Sequence, residues 1–112
     1  MRRRGTAVGS VAFADPSAEL PTALLALDGQ VVARSTRGER VIDADDFFTG
    51  PFTTALQPDE LAVALRIPVT ATRRLGSAVV EESRRHGELP EVQAAAVVAL
   101  DDDGAVAHAR SA

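Results

Sequence analysis

Residues 61–67 read Leu-Ala-Val-Ala-Leu-Arg-Ile, a large apolar residue at every second position. That period of two predicts a strand ended by Pro68, with Leu61, Val63, Leu65 and Ile67 on one face and Ala62, Ala64 and Arg66 on the other. Upstream, Leu20, Leu24 and Leu27 recur at helical spacing and predict a helix from about Pro21 to Leu27. Asp15 is placed to cap a first turn over 16–19, Pro16 suits a first helical position, and Gly29 supplies the stop. The runs 30–35 and 40–44 flank Thr36-Arg37-Gly38-Glu39, a hairpin with Gly38 in its turn. Asp43 or Asp45 can cap a short helix into Phe47 and Phe48, and 50–60, punctuated by Pro51 and Pro58, reads as loop.

Residues 69–74 have linker character, and a new unit begins near Leu75. It reads as a strand over 76–85, a loop or short helix over 86–93, a strand over 94–100, a turn at 101–104 and a last strand to Ala112. Helices and strands are mixed without a strict alternation, so the fold class is α+β. The apolar faces of the segments 20–27 and 61–67 are expected to be partly uncovered.

Composition narrows the functional classes. The chain has 112 residues, and 21 of its apolar residues are Ala, so the core available to it is thin. No apolar run approaches the ~18 residues of a membrane span. The absence of Cys excludes disulfides, thiolate zinc sites and iron–sulfur clusters within these residues. All twelve basic residues are Arg, scattered over a chain of net charge −4 with no interleaved aromatics, which argues against nucleic acid. A cytoplasmic protein without membrane insertion is the expectation.

Candidate chemistry is sparse. Asp101-Asp102-Asp103 precede Gly104 and read as a turn in preference to a metal site. His86 and His108 lack spaced catalytic partners, and Glu81 and Glu82 fall on opposite faces of their strand. No catalytic residue and no metal ligand is assigned. The opening stretch 2–16, Arg-Arg-Arg-Gly-Thr-Ala-Val-Gly-Ser-Val-Ala-Phe-Ala-Asp-Pro, admits three readings. A secretory leader would need an unbroken apolar region of roughly 7–15 residues, and Gly9 and Ser10 interrupt this one. An ordinary surface strand and turn is a second reading. In the third, free amides around Thr6, Gly9 and Ser10 form a concavity for an anion.

Taken in order, these stretches resemble the flavin-binding subunit of molybdenum hydroxylases, the family of the medium subunits of aerobic carbon monoxide dehydrogenases and the flavin domain of xanthine dehydrogenases. The resemblance rests on Arg4-Gly5-Thr6-Ala7-Val8-Gly9-Ser10, Ala14-Asp15-Pro16-Ser17-Ala18-Glu19-Leu20-Pro21, the hairpin Val31-Val32-Ala33-Arg34, Asp46-Phe47-Phe48-Thr49-Gly50 and the closing Leu65-Arg66-Ile67-Pro68. Arg84-Arg85-His86-Gly87 is similar to a pair of basic residues near the start of that family's C-terminal domain. The resemblance implies residues 1–68 as the second half of an FAD-binding subdomain and 69–112 as the beginning of a C-terminal domain.

By resemblance, Thr6, Ala7, Val8, Gly9 and Ser10 sit where the family binds the FAD diphosphate through backbone amides. Glu19 sits at the acid that holds the sugar portion, and the strand at Leu61 and Ala62 lines the cofactor's other side. The implied function is an FAD-binding subunit relaying electrons from iron–sulfur clusters through the flavin to an acceptor. The implied partners are a large subunit carrying the molybdenum cofactor and a small iron–sulfur subunit. Val8, Phe13 and Leu89 depart from the family's Gly, His and aromatic residue. If the glycine replaced by Val8 has positive φ, the valine strains the loop. The family's other glycine-rich flavin loop has no counterpart here, so the resemblance implies an interior segment of a longer protein with an incomplete site. The alternative is a non-catalytic remnant or interaction module that no longer binds FAD.

Overall fold

A computed structural model describes residues 4–69 and 74–112. Residues 70–73, most of the expected linker, lie outside the described residues. The first element among the described residues is a helix, where the sequence suggested a turn. α1 spans Ala7–Phe13, because the Thr6 hydroxyl accepts the Gly9 amide at 2.9 Å and so satisfies one of the donors that a helix start leaves unpaired. It ends where Ala14 turns left-handed at φ 54° and returns its N–H to the carbonyls of Ser10 and Val11.

α2 runs Glu19–Ala26, two residues earlier than the sequence pattern places it. Pro21 falls in its first turn, where a missing N–H costs no hydrogen bond, so the proline does not delay the helix. Asp15 caps the short turn that precedes α2, as its position suggests: its carboxylate accepts the Ser17 amide at 2.8 Å and the Ser17 hydroxyl at 2.7 Å, and its carbonyl accepts the Ala18 amide at 3.0 Å. At the other end Asp28, at φ 56°, provides the left-handed residue. Gly29 is there for space, since a Cβ on it would stand 2.3 Å from Leu24 Cδ1.

The hairpin forms as its pattern indicates. β1, Gln30–Ser35, pairs antiparallel with β2, Gly38–Asp43, with Gly38 at φ 129° opening the return strand opposite Ser35. α3, Ala44–Phe47, starts at Asp43, whose side chain is committed to Gln30 and leaves the helix uncapped. The expected loop at 50–60 contains a small ladder, β3 (Phe48–Gly50) with β4 (Thr53–Thr54). β5, Leu61–Arg66, completes a sheet of order β2-β1-β5.

The strict alternation in β5 does not survive pairing. Val32 faces Ala64 while Ala33 faces Ala62, so Val63 is an extra residue opposite β1. The bulge shifts the phase, and Ala62 and Leu65 pack against the core of Val11, Leu24, Val31, Ala33, Ile42, Ala44 and Phe47. Leu61, Val63 and Ile67 remain 71%, 37% and 50% exposed.

A second antiparallel sheet of order β6-β7-β8 comprises Leu75–Glu82, Val92–Leu100 and Val106–Ser111. β6 stops at Glu82, three residues short of the expected end. Residues 101–104 form the turn anticipated for them, with the Asp101 carboxylate accepting the amides of Asp103 and Ala105 and Gly104 at φ 83°. Ala95, Val97 and Ala99 give β7 a buried face of small residues. Ala95 and Val97 meet Ala26 at the end of α2 and Leu27 just beyond it, so the helix is packed on two sides while Leu20 stays 42% exposed. Gln93 clasps the carbonyls of Pro16 and Ala18 through its Nε2, and Arg110 donates to the Leu25 carbonyl and to Asp45.

Candidate functional site

The start of α1 and the start of α2 present the groups that the sequence marked. Ala7 and Val8 occupy the first helical positions, whose amides have no acceptor within a helix. The Gly9 amide is taken by Thr6, and the Ser10 amide by the Thr6 carbonyl at 3.0 Å. Gly9 has a local reason to be glycine, because a Cβ there would lie 2.7 Å from Thr6 Oγ1 and crowd the cap. Val8 is helical and absent from the positive-φ residues, so the strain anticipated for a valine at this point does not arise.

Ser10 and Glu19 border one cavity of about 660 Å³, closed from the other side by Glu81 of β6 and by His86 and Leu89 of the loop between β6 and β7. Leu61 and Ala62 do not line it. α1 packs along β5, where Leu61 is exposed and Ala62 is turned to the core. The structure thus brings Ser10 and Glu19 together and leaves the strand pair on a neighbouring surface.

The electrostatics of this cavity are acidic. Glu81 borders the cavity with Glu19, and its carboxyl is pushed above the ordinary glutamate value by desolvation first and then by the neighbouring Glu19. Opposite faces for Glu81 and Glu82 are what the strand dictates, yet the true neighbour of Glu81 is on α2. No local spacing in the sequence reveals a pair assembled from such distant positions. In the loop at 86–90, His86, which the sequence leaves without catalytic partners, and Leu89, which by resemblance stands where the family carries an aromatic residue, both border the cavity.

A dinucleotide cofactor requires anion donors, acceptors for sugar hydroxyls and apolar surface for a ring. Of the residues marked for the cofactor, Ser10 and Glu19 line the cavity; Thr6, Ala7, Val8 and Gly9 lie at the start of α1 outside its lining, and Leu61 and Ala62 lie on the neighbouring surface. Among the described residues no cluster of His, Cys, Asp or Glu suits a metal ion. No helix among them is long and apolar enough to cross a membrane.

Comparison with known proteins places this geometry in context. Residues 1–70 match the family described as FAD binding domain in molybdopterin dehydrogenase. Over 110 residues the chain is 43% identical to the 6-hydroxypseudooxynicotine dehydrogenase complex subunit alpha of Paenarthrobacter nicotinovorans, covering 98% of this chain and 37% of that protein. It is 38% identical over 103 residues to the caffeine dehydrogenase subunit beta of Pseudomonas sp. strain CBB1, covering 91% of this chain and 35% of the relative. Among solved structures, a carbon monoxide dehydrogenase chain from Hydrogenophaga pseudoflava superposes with a TM-score of 0.89 at 31% identity, over 98% of this chain and 38% of that one. The chain therefore spans little more than a third of the length of these relatives.

Proposed function

Because this chain belongs to the family of FAD-binding domains of molybdopterin dehydrogenases, we propose that it supplies one wall of an FAD site in a molybdopterin-dependent oxidoreductase. The observation that carries this reading is that Ser10 of α1 and Glu19 of α2 border one cavity. Residues 1–68 act as the FAD-binding part, and 69–112 begin the unit that closes the cavity from the other side.

In this reading the Ala7 and Val8 amides and the Thr6 and Ser10 hydroxyls hold the diphosphate, Val8 and Gly9 contribute backbone, and Glu19 accepts hydrogen bonds from sugar hydroxyls. Leu61 and Ala62 belong to the strand flanking the cofactor. The bound flavin would supply electron transfer, accepting electrons from iron–sulfur clusters and passing them to an acceptor, while the protein binds and orients it. Partners are a molybdenum-cofactor large subunit and an iron–sulfur small subunit, in the cytoplasm. The exposed apolar face of β5 favours a second reading, an interaction module that keeps these elements without the cofactor.

Titration with FAD separates the two. The chain has no Trp or Tyr, so flavin fluorescence is read against little protein background. Weak saturable binding is expected, and Glu19→Gln should weaken it by about tenfold, the loss of a hydrogen bond to a charged group. No binding, or equal affinity in the variant, would overturn the assignment.

A further inference from the structure

The second sheet has the order β6-β7-β8, so among the described residues no strand pairs with the outer side of β6, Leu75–Glu82. Leu100 of β7 donates its amide to the Arg74 carbonyl at 2.9 Å. Antiparallel pairing alternates from there, so the even-numbered positions of β6 turn their backbone groups to β7. Leu75, Ser77, Val79 and Glu81 turn theirs outward. The other sheet edges carry the devices that keep an edge strand from pairing. β2 holds Glu39, Arg40 and Asp43, β5 is bulged at Val63, and β8 holds Arg110. Residues 75–80 have no charge and no proline, and Val79 and Val80 are 54% and 67% exposed.

We propose that β6 is a dimerisation edge, which pairs antiparallel with β6 of a second copy of this chain to make one continuous sheet. A two-fold axis requires the pairing to be symmetric about one central residue that faces itself. Centred on Ala78, the register sets Arg74 opposite Glu82 at both ends, and opposite charges across a strand pair attract. Leu75 falls opposite Glu81, so no acid faces an acid. Val80 falls opposite Gly76, where a Cβ would meet nothing within 4 Å, and the small Ala78 falls opposite itself. Ser77 with Val79, and Leu75 with Glu81, then exchange their outward N–H and C=O groups. The Arg74 guanidinium is held at the start of the strand by the carbonyls of Asp101 and Asp102, at 3.2 and 3.5 Å. Centred one residue later, on Val79, the register sets Arg74 opposite Arg84 and loses the match. The occupant is a second copy because β6 is complementary to itself in this direction.

Sedimentation equilibrium of the full chain should show a reversible monomer–dimer exchange. A mass that stays monomeric up to ~1 mM, the weak end of specific association, would overturn the proposal. In amide exchange, the Ser77 and Val79 N–H groups should become protected as the dimer forms. Exchange at these two positions as fast in the dimer as in the monomer would overturn the edge pairing, and this measurement needs no variant. Val79→Pro removes an outward N–H that β7 does not use, so circular dichroism should keep its strand signal. The dimer dissociation constant should meanwhile rise about tenfold or more. Glu82→Arg should weaken the dimer by about tenfold, and adding Arg74→Glu should restore it. A dimer that Val79→Pro leaves intact would overturn the edge pairing, and a charge swap that fails to restore association would overturn the register.

Discussion

Glu60 shows how one residue ties a loop to the hairpin. Its side chain is only 4% exposed and receives the Arg40 guanidinium through both oxygens at 2.8 Å, together with the Gln57 amide at 2.8 Å. The Arg40 hydrogen bond first, and then the Gln57 amide, hold its carboxyl down to about 2, against an ordinary 4.5. A carboxylate depressed in the folded state contributes stability above its unfolded pKa and loses it as pH falls through the folded one. Glu60→Gln should therefore be less stable than wild type in urea at pH 7, with the gap closing from about pH 4.5 toward pH 2. A gap that stays constant across that range would mean that Glu60 acts through shape and not charge. Val8 and Gly9 carry a related lesson. A motif glycine suggested a ligand-shaped backbone, while the structure uses it to keep Thr6 capped, with Val8 relaxed in the helix.

At the scale of elements, β1, β2, β5 and β7 were legible because alternating or continuous apolar runs and turn residues are local signals. The phase of β5 was not, since the bulge at Val63 arises from pairing with β1 and leaves Leu61 and Val63 outward with Leu65 against the core. The start of α2 was obscured by Pro21, and the start of α1 by a glycine that looked like a turn. The cavity was legible from Ser10 and Glu19 on one side and from Leu89 by resemblance on the other, while Glu81 reaches it only through the packing of the second sheet. That packing depends on Arg110, which joins β8 to the end of α2 through the Leu25 carbonyl and to Asp28 and Asp45. A guanidinium at a helix C-terminus is also favoured by the helix dipole. Arg110→Ala should cost about 1.5–3 kcal/mol, the range for hydrogen bonds involving a charged group. Chemical denaturation measures it, and a loss below about 0.5 kcal/mol, the ordinary scatter of surface changes, would show that the small-residue contacts of β7 suffice.

At the scale of the whole molecule, the accessible surface of 8131 Å² exceeds the roughly 5,900 Å² usual for a monomer of 11.7 kDa. The excess on this one chain is well above the roughly 800 Å² that each partner contributes to a standard protein interface. It agrees with the exposed face of β5 and the exposed length of β6. A chain matching 37% of a relative's length can carry one wall of a cofactor cleft while the opposite wall belongs to the remainder of such a protein. The account therefore predicts weak FAD binding directed to a particular surface. The most direct test is an amide NMR spectrum of the ¹⁵N-labelled chain during addition of FAD. Ala7, Val8, Ser10 and Glu19 should shift together along a single saturable curve, with the amides of the β1–β2 hairpin tip unmoved. If FAD leaves those four amides in place, or shifts the hairpin tip in their stead, this chain does not form the FAD wall.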